Sequence, residues 1–410
     1  MGAVMTTEQI YFNPWDEAYR ANPYPYYKPL YRRPPYLLNL FFPMALVGRY
    51  QDAIKILRDH ERFSSVPPMS PFLQDRLDVF GTAPRVVFSD PPIHTRLRRL
   101  VSRAFTPRRI RDLEVRILEF TSILLDRVAE KGAFEVMGDL ANPLPVMVIA
   151  EMLGVPPEDY LIFKQWSDQV IESDNTPPGT PLPATIKDAF QALREYFIGE
   201  IEKRRRSPGP DLVSVLVAAH EAAEALTEEE LITFVVLLLL AGNETTTNLI
   251  GNGMLALGRN PQQMQKLMGA PQLMPRAIEE MLRYDCPVQS TARYPKIDVT
   301  IDGVELKANT VTFVMVAAAN RDPEQFPNAD TFDLTRQPND HLAFGDGIHY
   351  CLGASLARLE ATIAFQRLTS RFPGLTLDGE ATWNGRINLR GPARLPVSFS
   401  KQPVNRAGGR

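Results

Sequence analysis

The chain has 410 residues, 44% apolar and 23% charged, an ordinary globular composition with ample material for a core. Its 45 Lys and Arg against 48 Asp and Glu leave a net charge of -3, which gives no global reason to bind nucleic acid; any basic surface must be local. Two cysteines, Cys286 and Cys351, exclude a disulfide framework and suit a reducing cytosol.

The N-terminal stretch MGAVMTTEQIYFNPWDEAYR lacks the basic-then-apolar order of a signal peptide. Residues 9–37 are crowded with Pro and Tyr and predict irregular structure rather than long helices. A β segment is expected near 45–49 and a helix at 51–58. Residues 64–92 read as a long loop with one short helical piece, and loops of that length usually serve as lids or walls. Helical periodicity then predicts helices at 93–104, 108–130, 144–153, 157–173 and 184–206, with a Pro/Gly loop at 175–183. The strongest helix runs from 228 to about 259, where Thr227 and Glu230 have the spacing of a capping box. Its apolar run, 231–242, falls short of the ~20 residues needed to span a bilayer. A shorter helix is expected at 276–284.

Strands come later. Ile297, Val299 and Ile301 alternate, and Asp302-Gly303 is a hairpin turn. Another strand is expected at 311–317, a helix at 352–371 and short strands towards the C-terminus. The 36 prolines exceed a typical ~5% of residues, but they are dispersed. No repeat or linker divides the chain, so one domain over 1–410 is expected, mainly α with small peripheral β-sheets and a flexible polar tail at about 401–410.

The most informative segment is FGDGIHYCLG, residues 344–353. Two glycines at alternate positions permit backbone turns closed to other residues. Cys351 follows them and precedes a helix, whose free N–H groups and dipole would favour a thiolate. A lone cysteine is most often a small buried hydrophobe. A c-type haem attachment would need C-x-x-C-H, and a zinc site would need more ligands than His341 and His349. Haem ligated by a cysteine thiolate is the best reading of this context. Gly353 would let a flat macrocycle approach, and Phe344 would shield the sulfur.

A second polar segment, AGNETTTN at 241–248, interrupts the apolar helix. Polar groups there are costly unless paired or useful, and threonine back-bonding to the preceding turn is the plain alternative. The pattern Gly251-x-Gly253-x-x-Ala256 matches a dinucleotide motif but does not follow a strand, so it is rejected.

The form F-G-x-G-x-H-x-C-x-G resembles the cytochrome P450 family, and the resemblance extends from about Asn13 to Val397. It implies the cytochrome P450 fold, a triangular haem-thiolate prism, of the soluble bacterial type. It also implies haem b with Cys351 as the metal ligand. Ala241 and Gly242 would leave room for O2, Thr245 would hydrogen-bond the oxygen being activated, and Glu244 would relay protons. Many relatives carry His where this chain has Asn243, which leaves these roles in place. His94, Arg98, Arg293 and His349 are implied as partners of the haem propionates. Glu280 and Arg283 match the family's E-x-x-R pair, and with Arg336 they imply a structural ion network. Ala241 and Val288 are implied to border the substrate, in a pocket that also draws on 64–92, 157–206 and 288–292.

Seven arginines, at 96, 98, 99, 103, 108, 109 and 111, occur with no acid between 96 and 111. Such a run is usually a solvated face, and a nucleic-acid arm is the sharper alternative. The resemblance favours a redox-partner surface that mainly sets the association rate. The basic run at 203–206 reads as a plain solvated helix end.

The function implied is a cytoplasmic monooxygenase that inserts one atom of O2 into a small apolar organic substrate by hydroxylation, epoxidation or demethylation. Electrons would come from a ferredoxin and ferredoxin reductase, with NAD(P)H acting only through them. No nucleic acid or membrane partner is expected, and the chain is expected to act as a monomer. The alternatives are a peroxide-driven haem peroxygenase and a non-enzymatic haem-binding sensor.

Overall fold

Proline and tyrosine shape the start of the chain as the composition predicts. The helices there are short: α1 (Glu17–Ala21), capped by Asp16 accepting from the Tyr19 N–H at 3.0 Å, and α2 (Tyr24–Tyr31). The structure, a computed structural model, describes residues 10–400 apart from 40–41, 70–73, 103–104, 178 and 221–225. The expected tail and Arg103 lie outside the described residues.

Strands β1 (Tyr36–Asn39) and β2 (Pro43–Val47), helix α3 (Tyr50–Arg58) and strand β3 (Phe63–Ser64) come next. The stretch 64–92 holds α4 (Gln74–Phe80) and one 3-10 turn at Val86–Phe88. Helices α5 (Ile93–Ser102) and α6 (Pro107–Asp126) follow, then β4 (Ala133–Glu135) and a π turn at Met137–Ala141. After them come α7 (Pro143–Leu153), α8 (Tyr160–Ile171), α9 (Ala184–Arg206), α10 (Leu212–His220) and α11 (Glu228–Arg259). Helix α6 ends four residues before the predicted 130, in a turn that leads to Gly132 at φ 81°. Helix α10 was not anticipated: LVSVLVAAH is apolar all round and carries no period to read.

Helix α11 has 32 residues, about 48 Å at 1.5 Å rise per residue. Its capping box is formed: Glu230 N–H donates to Thr227 Oγ1 at 3.2 Å, and Thr227 N–H donates to Glu230 Oε2 at 2.9 Å. Among the described residues it is the one helix long and apolar enough to cross a membrane, and 72% of its apolar window is buried in the protein. Gly253 is a packing seat rather than a phosphate turn. A Cβ there would come within 2.6 Å of Met281 Sδ and 2.8 Å of Phe365 Cζ.

The chain continues through α12 (Pro261–Gly269), α13 (Met274–Tyr284), β5 (Thr291–Pro295), β6 (Val299–Ile301), β7 (Val304–Leu306), β8 (Val311–Val314) and α14 (Val316–Ala319). It ends with α15 (Ala354–Arg371) and strands β9 (Thr376–Leu377), β10 (Thr382–Trp383), β11 (Pro392–Arg394) and β12 (Pro396–Ser398). The hairpin of β6 and β7 turns at Asp302 (φ 47°) and Gly303 (φ 81°), as the dipeptide predicts, but Ile297 lies outside the strand and is exposed. Five strands form the main sheet in the order β1-β2-β8-β5-β3, with β2 and β8 parallel. The others pair in small sheets of two or three.

The fold is therefore mainly α with small peripheral sheets. One apolar cluster joins α6, α7, α11, α13 and α15, a second joins α7 to α11, and a third fills the space between the N-terminal helices and the main sheet. Helix α11 contributes to both helical clusters.

Candidate active site

The loop before α15 is shaped by its glycines. Gly345 and Gly347 hold φ of 70° and 67°, where a side chain is strained. At Gly347 a Cβ would also lie 2.5 Å from the Leu57 carbonyl oxygen, so α3 approaches bare backbone. Asp346 fastens that approach by accepting from Arg58 Nε at 2.9 Å and Nη2 at 3.1 Å. The Cys351 N–H donates to the Phe344 carbonyl at 2.9 Å. Cys351 thus stands two residues before the N-cap Gly353, and the helix begins at Ala354 rather than at the predicted 352.

Cys351 keeps exposed surface, yet burial is the largest influence on its thiol and pushes its pKa up. Both hold if the sulfur opens on an interior space rather than on bulk water. The Gly353 and Ala354 N–H groups, Arg98 and Arg358 pull the other way, with the sign the sequence predicts. Desolvation is the larger of the two influences, so its direction opposes that of the helix end. A coordinated metal ion would reverse this by deprotonating the sulfur. A Cβ on Gly353 would meet nothing within 4 Å, which leaves a flat approach beside the sulfur. Phe344 is half-buried, and its ring lies 4.4 Å from the Arg358 guanidinium carbon.

Beside this loop four basic side chains converge. The rings of His94 and His349 have centroids 4.3 Å apart. His94 is 3% exposed, which excludes a surface histidine, and its Nε2 is buried without a hydrogen-bond partner. His349 Nε2 lies 2.9 Å from Ser65 Oγ. Burial, then Arg293 and His94, depress the His349 pKa to about 3. Arg293 is buried too, and desolvation lowers it to about 10. Arg98 donates from Nη2 to the Tyr350 carbonyl at 2.5 Å, which ties α5 to the cysteine loop. Asp90 is the acid among them, and it already accepts from Ser64, Ser65 and Lys296. Mutual repulsion with an orphaned Nε2 fits a group that brings two carboxylates, as haem does. Among the described residues no cluster of three His, Cys, Asp or Glu suits a metal ion.

Ala241 is exposed within a helix whose neighbouring turns are buried, so it borders an interior space. Thr245 is half-buried, and its Oγ1 donates to the Ala241 carbonyl at 2.8 Å, the back-bond that the sequence allows. Glu244 is buried and pairs with Arg386 Nη1 at 2.7 Å. Asn243 is fully buried and donates to Ser167 Oγ at 3.1 Å. Motif reading missed Arg386, since nothing in the isolated string RINLR marks a partner 142 positions from Glu244.

The E-x-x-R pair is fully buried. Arg283 donates to both Glu280 oxygens at 2.8 Å and to the carbonyls of Asn320, Ala329 and Thr331. Arg336 Nε reaches Glu280 at 3.2 Å, and the Asp333 N–H donates to Glu280 at 2.9 Å. The neighbouring Glu279 takes Arg358 at 2.7 Å and His341 at 3.1 Å, an ion network the sequence reading did not find.

The arginine run divides. Arg96 pairs with Glu230 on α11, an acid remote in sequence, and Arg98 faces the cysteine loop. Arg108 and Arg111 are exposed on the first turns of α6. The basic end of α9 is not plainly solvated: Arg204 joins Glu200 and Asp211, and Arg205 pairs with Glu202 and Glu228. Val288 is half-buried. A cavity of about 740 Å³ is bordered by Leu37, Met44, Pro68, Ala292 and Phe313. Strand alternation puts it on the face of β5 opposite Arg293.

The family profile described as Cytochrome P450 matches residues 161–270 and 271–388. Cytochrome P450 CYP107DY1 of Priestia megaterium is 39% identical over 87% of this chain and 90% of its own. The Biotin biosynthesis cytochrome P450 of Bacillus subtilis is 41% identical over 92% and 96%. The crystal structure of P450BioI in complex with hexadec-9Z-enoic acid ligated acyl carrier protein superposes with a TM-score of 0.87. It is 38% identical, and the match covers 94% of this chain and 99% of that one.

Proposed function

The chain belongs to the cytochrome P450 family, and from that premise we propose that Cys351 would ligate the haem of an enzyme that hydroxylates a small apolar organic substrate. Membership itself makes the protein a haem-thiolate monooxygenase that oxidises small organic molecules with O2 and draws electrons from a separate partner. The observation that carries the assignment of Cys351 is the basic cluster beside it, with the buried Nε2 of His94 left unpaired.

Arg98, Arg293, His94 and His349 would hold the two propionates, and Gly353 and Phe344 would border the ring near the sulfur. When bound, haem supplies the redox chemistry that activates O2. The chain's own residues supply space, orientation and protons. Ala241 would leave space for a small molecule beside the haem. The Thr245 hydroxyl would turn from the Ala241 carbonyl to hold a proton at Oγ1, and the Glu244 carboxylate would pass protons towards that hydroxyl. Val288 and Ala241 border the substrate. Glu280, Arg283 and Arg336 fix the segment that leads to Cys351 and take no part in the chemistry.

Electrons come from a ferredoxin and its reductase, which NAD(P)H feeds, and the exposed arginines of α6 supply the docking charge. The reaction runs in the cytoplasm on a monomer. Epoxidation or demethylation would use the same residues.

The test is the absorption spectrum of the dithionite-reduced protein with and without carbon monoxide. The expected result is a strongly red-shifted Soret band, lost in Cys351→Ser. An unchanged band in that variant would remove Cys351 from the iron. Turnover supported far better by hydrogen peroxide than by a ferredoxin system would replace the monooxygenase with a peroxygenase.

A further inference from the structure

Arg386 lies between β10 and β11, outside every motif, and its guanidinium joins carboxylates from two helices. Nη1 stands 2.7 Å from Glu244 Oε1 on α11, and Nε donates to Glu172 Oε1, just beyond α8, at 3.2 Å. Nη2 lies 3.8 Å from Asp168 Oδ1 on α8. The side chains of Arg386 and Glu244 are 9% and 6% exposed, whereas those of Asp168 and Glu172 are 37% and 47% exposed. One cation therefore connects a buried acid to two acids at the rim. Burial would lower its pKa, but Glu244, Asp168 and Glu172 outweigh that and raise it.

The same junction is tied through the backbone. The Ile387 N–H donates to Asn175 Oδ1 at 3.0 Å, and the Arg386 N–H donates to Asn384 Oδ1 at 3.2 Å. Asn384 Nδ2 in turn donates to the Leu389 carbonyl at 3.0 Å and reaches Glu244 at 3.4 Å. Nη1 faces Glu244 without an aligned hydrogen bond. The contact is therefore read as a close ion pair.

We infer that Arg386 is a positioning residue for Glu244, and that it ties the orientation of this acid to the seating of the α8 end. The inference rests on the monooxygenase reading above, because it concerns the proton relay of that reaction. A buried carboxylate with no cation beside it turns away, and a guanidinium anchored by two further acids holds it in place. When the α8 end shifts, Arg386 is released on its outer side and the grip on Glu244 changes with it.

The test compares two ways of driving the holoenzyme with p-nitroanisole as the probe: O2 with a surrogate ferredoxin system, and hydrogen peroxide alone. Peroxide arrives with both protons, so it needs none delivered from solvent through the relay. Arg386→Met is expected to lower O2-driven turnover by about ten-fold or more and to leave peroxide-driven turnover nearly unchanged, and Arg386→Lys is expected to recover part of the loss. Asp168→Asn with Glu172→Gln spares the Glu244 pair, and it decides the matter if Arg386→Met does not fold. It is expected to speed amide hydrogen exchange over 168–175 and to lower the O2-to-peroxide ratio. Equal loss in both reactions for Arg386→Met, or faster exchange with an unchanged ratio in the double variant, overturns the inference while the red-shifted carbon monoxide band persists. Absence of that band from the unmodified protein would overturn the underlying reading instead.

Discussion

In the proposed reaction Thr245 would have two uses for one hydroxyl. Its Oγ1 donates to the Ala241 carbonyl at 2.8 Å, a bond that holds the side chain in one rotamer and locally satisfies the helix. Turning the hydroxyl towards oxygen gives up that bond, worth about 1 kcal/mol, a cost small enough for a proton-delivering group. Thr245→Val keeps the branched shape and removes the hydroxyl. Electron flow in that variant is expected to be diverted, with peroxide released per NAD(P)H rising several-fold. Coupled hydroxylation at the unmodified level would take Thr245 out of the relay. The ten-residue context singled out Cys351 in the sequence, and the family resemblance singled out this threonine. The burial around the sulfur was not visible, because it depends on everything packed about the loop.

At the scale of elements, α11 is the best-read part of the chain: 228 to about 259 is the helix found, and its capping box is closed. A cap, an apolar body and a terminal Arg259 all point the same way there. Helices α10 and α12 were not read. The first has no polar face, and the second is nine residues opened by Pro261. The E-x-x-R pair on α13 has ordinary i,i+3 spacing, worth a few tenths of a kcal/mol on an exposed helix. Tertiary burial changes its weight: Glu280 and Arg283 are both 0% exposed, and Arg336 and Asp333 converge on the same carboxylate. Glu280→Gln leaves two guanidinium groups without their anion. We expect a loss of about 3–5 kcal/mol, read as a fall in the urea midpoint. A change below 1 kcal/mol would show that water replaces the carboxylate.

Across the whole molecule, ion pairs join segments far apart in the chain. Glu279 on α13 takes Arg358 on α15 and His341 from the connecting segment. Burial alone would raise its pKa, but these partners outweigh burial and hold it at about 2, down from an ordinary 4.5. The folded state thus favours the ionised form. The stabilisation is complete above about pH 4.5, fades as the pH falls towards 2, and amounts to at most about 3 kcal/mol. Glu279→Gln should flatten the acid side of the stability profile between those values while lowering the plateau above them. An acid limb identical to that of the unmodified chain would assign the loss to other carboxylates.

The sequence by itself determined what local patterns encode. These are the helix-dominated class, the hairpin at Asp302-Gly303, the long capped helix, the glycine turns before Cys351, and the residue types a thiolate-ligated haem requires. Caps, turns and periodicity act over a few residues, so a linear reading recovers them. Tertiary structure alone decided which acids meet which bases. Arg96 found Glu230, Arg386 found Glu244, and Glu279 gathered His341 and Arg358. It also brought His94 onto His349 with a nitrogen left unpaired. Charges pair through space, and desolvation depends on everything packed around a group, so neither partner identity nor protonation is written in local sequence.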